Sequence, residues 1–252
     1  MIGRIICSAA LAVSAWMATD SAIAQTNGIL QATLAEANQK TPEVSTEQLR
    51  RILADGSAIV LDTRTRLEFE AGHIPGARAL GVPPDQQVGA VERLVRGDKA
   101  VALVLYCNGP YCQASRRLAE RLAGAGFTNV RRYQLGMPVW RALGGPTAIE
   151  RGGFLRIYKV DRTAVLFDVR SSSEYNKTSL AGTLNVPADD VASGRLKKMP
   201  LPEDDFNRRI VLFGKDATQA RAVAEVLRKR PWHNVSYLAD TYSALAAAVQ
   251  AK

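Results

Sequence analysis

The sequence contains a long internal repeat, and that repeat limits what the chain can fold into. A short apolar run at residues 58 to 61 ends in Asp62-Thr63-Arg64, with Glu68-Phe69 just beyond. A second run at residues 164 to 167 ends in Asp168-Val169-Arg170, with Glu174-Tyr175 beyond, each 106 positions after its partner. Gly182 and Val186-Pro187 continue the second copy, and then Arg209-Ile210-Val211-Leu212-Phe213 leads into the helical spacing of Ala220, Ala224 and Leu227. In the first copy, residues 101 to 106 occupy the same place, followed by Ala114, Leu118, Leu122 and Ala125. Duplication is the simplest account. Short uncharged runs alternating with helical spacing predict an α/β chain with two tandem units, each a small parallel sheet flanked by helices. At 252 residues there is room for both. Residues 44–145 and 161–252 are the expected domains, and the breakers Gly144-Gly145-Pro146 and Gly152-Gly153 predict a linker at 146–160.

The chemistry concentrates where the central run of the first unit stops, at Tyr106-Cys107-Asn108-Gly109-Pro110-Tyr111-Cys112-Gln113. Strand, loop and helix follow one another here. Amide groups of such a loop and of the first helical turn lack intrahelical partners, so an anion suits the loop's centre. A cysteine held there has its pKa depressed and is a candidate nucleophile. Cys107 is the expected catalytic residue, and Asn108, Gly109, Pro110, Tyr111, Cys112 and Gln113 are the expected substrate-binding loop. A buried, merely packed cysteine is the competing reading. It gives no reason for the Gly-Pro turn or the second cysteine five positions on.

Taken in order, the motifs carry a resemblance. Asp62-x-Arg64, Glu68-Phe69, Gly72-His73-Ile74-Pro75-Gly76-Ala77, the Cys107 loop and Gly136-Met137-Pro138-Val139-Trp140 resemble the rhodanese domain, a sulfurtransferase module, over about residues 45 to 145. The resemblance implies that Cys107 accepts a sulfane sulfur as a persulfide, while the Asp, Arg and His-Ile-Pro-Gly-Ala positions are architectural, so His73 is not expected to be a base. The Cys-x-Gly-Pro-x-Cys loop is similar to a variant in some bacterial rhodanese domains, and the span from Cys107 to Gly126-Phe127 is about two residues longer than usual for the family. Phosphatases on the same fold place an arginine six positions after the cysteine to clamp phosphate. Gln113 stands there, which disfavours ester hydrolysis. In the second copy Gly214 replaces the cysteine and Ser179-Leu180-Ala181 replaces His73-Ile74-Pro75, so that unit is expected to be a scaffold without a nucleophile. A weaker idea has Lys215 and its loop hold an anion, and His233 reads as a surface residue.

Before the first unit, residues 1–24 have the layout of a secretory signal: Arg4, an apolar stretch to Ala18, and Ala22-Ile23-Ala24 ahead of Gln25. Residues 25–43 read as a tether. Export to the periplasm or beyond is the expectation, with no stable membrane insertion after signal removal, leaving Cys107 and Cys112 as the mature chain's cysteines in an oxidising compartment. The net charge of +9 favours anionic small molecules, but it is spread without a basic block or aromatic ladder, so nucleic acid is not an expected partner. The expected function is transfer of sulfane sulfur from thiosulfate or a persulfide to a thiol, cyanide or exported protein acceptor. The alternative is a thiol-disulfide or persulfide relay, or binding module, that uses Cys107 and Cys112 to hand sulfur to a protein partner. Neither cofactor nor metal is required, since two cysteines and two distant histidines make no ligand spacing.

Overall fold

The computed structural model describes residues 28–251. The expected signal sequence lies outside them. Residues 42 and 43, expected as the end of the tether, run with Val44 beside the first sheet: Arg132 N–H donates to Pro42 C=O and Val44 N–H to Arg132 C=O. Ser45 then caps helix α1 (Thr46–Asp55), and Gln48 returns a bond to the Ser45 N–H. This reciprocal pair satisfies two amides that the helix cannot. Gly56, with φ +67°, ends α1 in the left-handed region that glycine adopts without a Cβ penalty.

The first sheet follows in chain order as β1 (Ile59–Asp62), α2 (Arg66–Ala71), β2 (Arg78–Ala79), α3 (Gln87–Leu94), β3 (Leu103–Tyr106), α4 (Ala114–Gly124), β4 (Val130–Tyr133) and α5 (Gly136–Ala142). Its strands run parallel in the order β2-β1-β3-β4. Strand β3 is central and buried on both faces, as its uncharged sequence requires. Val104 and Tyr106 point to the side of Leu49, Ile52 and Trp140, while Leu103 and Leu105 point to that of Val91, Leu118 and Leu122. The two-residue alternation of the strand thus builds two cores, one per face.

The second sheet comprises β5 (Ala148–Ile149), α6 (Arg151–Arg156), β6 (Val165–Asp168), α7 (Ser172–Lys177), β7 (Leu184–Asn185), α8 (Ala188–Ala192), β8 (Ile210–Phe213), α9 (Ala217–Arg228), β9 (Val235–Leu238) and α10 (Tyr242–Gln250). It is parallel, in the order β5-β9-β8-β6-β7. Its cores divide in the same way, with Leu212 on one face and Val211 and Phe213 on the other.

The stretch at 146–160 is more than a linker. It supplies an edge strand to the second sheet and, through a His73–Ala148 bridge, touches the first unit. Phe154 and Ile157 are buried in a core. Glycines in and next to it make room for close packing. A Cβ on Gly145 would lie 2.1 Å from the Trp140 ring, and one on Gly153 would lie 2.0 Å from the Glu70 carbonyl oxygen. Glu70 also pairs with Arg156 at 2.8 Å, so α2 and α6 are held together across the junction.

Candidate active site

The β1–β3 pairing sets Asp62 opposite Tyr106, the residue before Cys107. Asp62 is fully buried and bonds Arg64 through both carboxylate oxygens, at 3.0 Å to Nε and 2.6 Å to Nη2. Arg64 Nη2 also donates to the Gly72 carbonyl at 2.8 Å, and the Tyr106 hydroxyl donates to Asp62 at 2.5 Å while accepting from the Ile74 N–H. A buried charge is tolerable only when paired and hydrogen-bonded in this way. Burial works to lower the Arg64 pKa, but the Asp62 carboxylate outweighs it and holds the guanidinium above its ordinary value. Burial, followed by the charge of Asp62, drives the Tyr106 phenol well above its ordinary range.

His73 is architectural, as the motif implied. It is buried, stacked on Phe69 with ring centroids 3.8 Å apart, and its Nδ1 lies 2.9 Å from the Phe69 carbonyl. Burial pulls its pKa below the ordinary value, which keeps the ring neutral.

The loop after β3 brings the sequence-predicted residues together unevenly. Cys107 is only 3% exposed, and its sulfur is bonded to that of Cys112, with Cα atoms 6.1 Å apart. The expectation of a free thiolate is therefore not met in this state, and Cys112 is neither a packed helix-start residue nor turned away. The cause is local: Gly109 takes φ +103° and its carbonyl accepts the Cys112 N–H, curling the two ends of the loop together. Pro110 has no N–H to offer, and the Cys112 N–H is spent on this turn. Among the described residues, the N–H groups of Asn108, Gly109, Tyr111 and Gln113 meet no protein acceptor, so the cradle is narrower than the sequence suggested. Tyr111 is 97% exposed, and Gln113 is an exposed residue immediately before α4.

Three contacts to this loop were missed in the sequence. The Asn108 amide donates to Glu68 at 2.5 Å and accepts from Arg64 at 3.4 Å, which ties the buried lock to the loop. Burial would raise the Glu68 pKa, but bonds from Thr65 and Asn108 hold it below the usual carboxylate value. Gly136, at φ +64°, packs so tightly that a Cβ there would lie 2.3 Å from the Gly109 nitrogen and 2.5 Å from the Cys107 carbonyl oxygen. Only the Gly-Met-Pro-Val-Trp motif hinted at this. Beside the loop lies a cavity of about 670 Å³ lined by Thr63, Gln87, Gln113, Arg117, Glu120 and Arg121. Thr63 donates to the Tyr106 carbonyl and so places the cavity next to Cys107, with Arg117 and Arg121 beside one carboxylate, Glu120, in its lining.

The second unit keeps the lock and fills the site. Arg170 bonds both oxygens of Asp168 and the Thr178 carbonyl, repeating the Arg64 pattern. Ser179 donates to Asp168 at 2.7 Å, in the role that Tyr106 has in the first unit. At Gly214, where a cysteine would stand, the Gln219 side-chain oxygen accepts the Lys215 N–H at 2.9 Å and would lie 2.7 Å from an added Cβ. The Lys215 N–H is thus taken up by the chain's own side chain rather than left open to an anion. His233 is exposed, as expected.

Comparison with known proteins agrees with this geometry. The chain matches the rhodanese-like domain family twice, over residues 45–143 and 157–248. It is 37% identical over 100 residues to an HTH-type transcriptional regulator of Mycobacterium tuberculosis, a match covering 40% of this chain and 41% of the regulator. Among solved structures it is similar to a thiosulfate sulfurtransferase from Pseudomonas aeruginosa, at 19% identity and TM-score 0.36, covering 81% of this chain and 42% of that one. It is also similar to a rhodanese-like domain of an Anabaena sp. protein, at 30% identity and TM-score 0.37, covering 42% of this chain and 77% of that one. The chain thus spans about two fifths of the regulator and of the Pseudomonas enzyme. With its repeated lock, its strand-end cysteine and both of its units matched, the chain belongs to the rhodanese-like domain family.

Proposed function

We propose that this protein is an exported sulfurtransferase whose first unit carries sulfane sulfur as a persulfide on Cys107. In the reduced site the Cys107 thiolate attacks the outer sulfur of thiosulfate; a new S–S bond forms as the old one breaks, and sulfite leaves with the bonding electron pair. A thiolate or cyanide acceptor then attacks the outer sulfur of the persulfide, and the Cys107 thiolate is regenerated. Loop amides stabilise the charged sulfur at each stage. The observation that supports this most is the setting of Cys107: a strand-end sulfur on a loop with unengaged N–H groups, beside a cavity whose lining includes Arg117 and Arg121 as well as Glu120. The disulfide masks the nucleophile, so activity requires prior reduction. The test is intact mass of the reduced, desalted protein after thiosulfate. One added sulfur atom, lost on cyanide addition and missing in Cys107→Ser, is the expected result. No added sulfur on the reduced protein refutes the reading.

The Cys107–Cys112 bond favours a second reading, a thiol-disulfide relay that releases the carried sulfur as hydrosulfide and passes the disulfide to a protein partner. Here the Cys112 thiolate attacks the inner sulfur of the Cys107 persulfide, the disulfide forms and hydrosulfide leaves, and a partner dithiol reduces the disulfide. Under this reading wild type releases hydrosulfide after loading without any acceptor, while loaded Cys112→Ser retains its sulfur. Equal retention in both proteins removes it.

A further inference from the structure

A second cavity, of about 630 Å³, opens between the two units and shares no residue with the Cys107 loop. One wall is α1 with the Pro75 turn and the end of α5, and the opposite wall is the last turn of α9. Its charge is unbalanced. Arg221 is neutralised by Glu225 at 2.8 Å, but Arg50, Arg228 and Lys229 have no carboxylate within salt-bridge distance among the described residues. Arg50 lies over the Trp140 ring and spends one nitrogen on the Leu143 carbonyl. Arg228 reaches across the junction to Gly144, and its Nη2 is buried with no hydrogen-bond partner. Burial, and then the charge of Arg50, pull the Arg228 pKa down to about 10.

Arg228 is half-buried with its Nη2 fully buried and unpaired, which is costly, and a bound anion offsets that cost. Leu53, Pro75 and Leu143 make the rest of the lining apolar, and the volume is that of a small-molecule site. We infer that this interdomain cleft binds a small organic anion, an apolar body carrying a phosphate or a similar doubly charged oxyanion, clamped between Arg50 on the first unit and Arg228 and Lys229 on the second. The site is independent of sulfur transfer at Cys107. Because its walls belong to different units, the ligand stiffens their junction.

The test is calorimetric titration of the full chain at constant ionic strength with phenyl phosphate, inorganic phosphate and phenol as probes. Saturable binding of phenyl phosphate, weaker binding of inorganic phosphate and none of phenol are expected. Arg228→Gln, which removes an unpaired charge and so leaves the melting temperature unchanged or raised, should weaken phenyl phosphate by about tenfold or more. Lys229→Gln, at an exposed position, should weaken it in the same direction. Cys107→Ser should bind as wild type does. Absence of saturable binding, equal affinity for the two phosphates, wild-type affinity in Arg228→Gln, or loss of binding in Cys107→Ser would each overturn the assignment.

Discussion

Removing one oxygen atom tests the buried lock directly. In Tyr106→Phe the ring stays in a fully buried slot, but Asp62 loses a 2.5 Å bond from the phenol and the Ile74 N–H loses its acceptor. A hydrogen bond to a charged group contributes about 1.5–3 kcal/mol, and a stranded buried amide costs about 1–3 kcal/mol. Arg64 still neutralises Asp62, so the combined loss should fall at about 2–4 kcal/mol rather than at the sum of the upper limits. The second unit shows how the same carboxylate is satisfied without a phenol: Phe213 stands at the corresponding strand position, and Ser179, at the position of His73, donates to Asp168. Tyr106→Phe combined with His73→Ser should therefore be less damaging than the two single losses added together, by about 1 kcal/mol. Urea unfolding of the four proteins of this cycle, together with hydrogen exchange at the Ile74 amide, measures both quantities. A single-mutant loss below about 0.5 kcal/mol, or strict additivity in the cycle, would refute the view that Asp62 is the electrostatic centre of this unit.

Other consequences follow from the same contacts. Because burial lowers the folded-state pKa of His73 below 6.5, the unfolded chain binds the extra proton first, so stability is complete above that pH and declines as pH falls below it; the urea midpoint of His73→Gln should show a shallower acid decline. Gly136→Ala forces a Cβ into the Gly109 and Cys107 backbone at a left-handed φ, a conformation costing about 1–2 kcal/mol for an L-residue, and intact-mass assay should find sulfur loading from thiosulfate lost before the fold is. Gly153→Ala drives a Cβ against the Glu70 carbonyl and should cost about 1–3 kcal/mol, with thermal unfolding splitting into two transitions as the α2–α6 contact opens.

How far the sequence could be read depended on whether an interaction was local. The Ser45–Gln48 box, the Asp62–Arg64 pair and the strand-end position of Cys107 are fixed within a few residues, and their spacing announced them. The glycines at 145, 152 and 153 read as breakers because a sequence does not distinguish a glycine chosen for its backbone angles from one chosen for lack of a side chain. Neither Gly145 nor Gly153 has a positive φ, and each is there because Trp140 or Glu70 occupies the space a Cβ would need. The Asn108–Glu68 bond, between residues 40 positions apart, left no trace in any pattern. Pairing of Cys107 with Cys112 depended on how far Gly109 bends the loop, which spacing alone leaves open.

The two units separate scaffold from chemistry within one chain. Both place an Asp-x-Arg lock at the end of the first long strand, and both close it with a hydroxyl, although that hydroxyl comes from Tyr106 in one and Ser179 in the other. The lock therefore answers to folding, since it is retained where no nucleophile exists. What differs is the centre of the next loop. In the first unit Gly136 holds the backbone of the Cys107 loop from below and leaves several of its amides without protein acceptors. In the second, Gln219 folds back onto the Lys215 amide and presses against Gly214. The two loops thus differ at the position after the cysteine or its replacement: Gln219 meets the Lys215 N–H in the second unit, and among the described residues no protein acceptor meets the Asn108 N–H in the first.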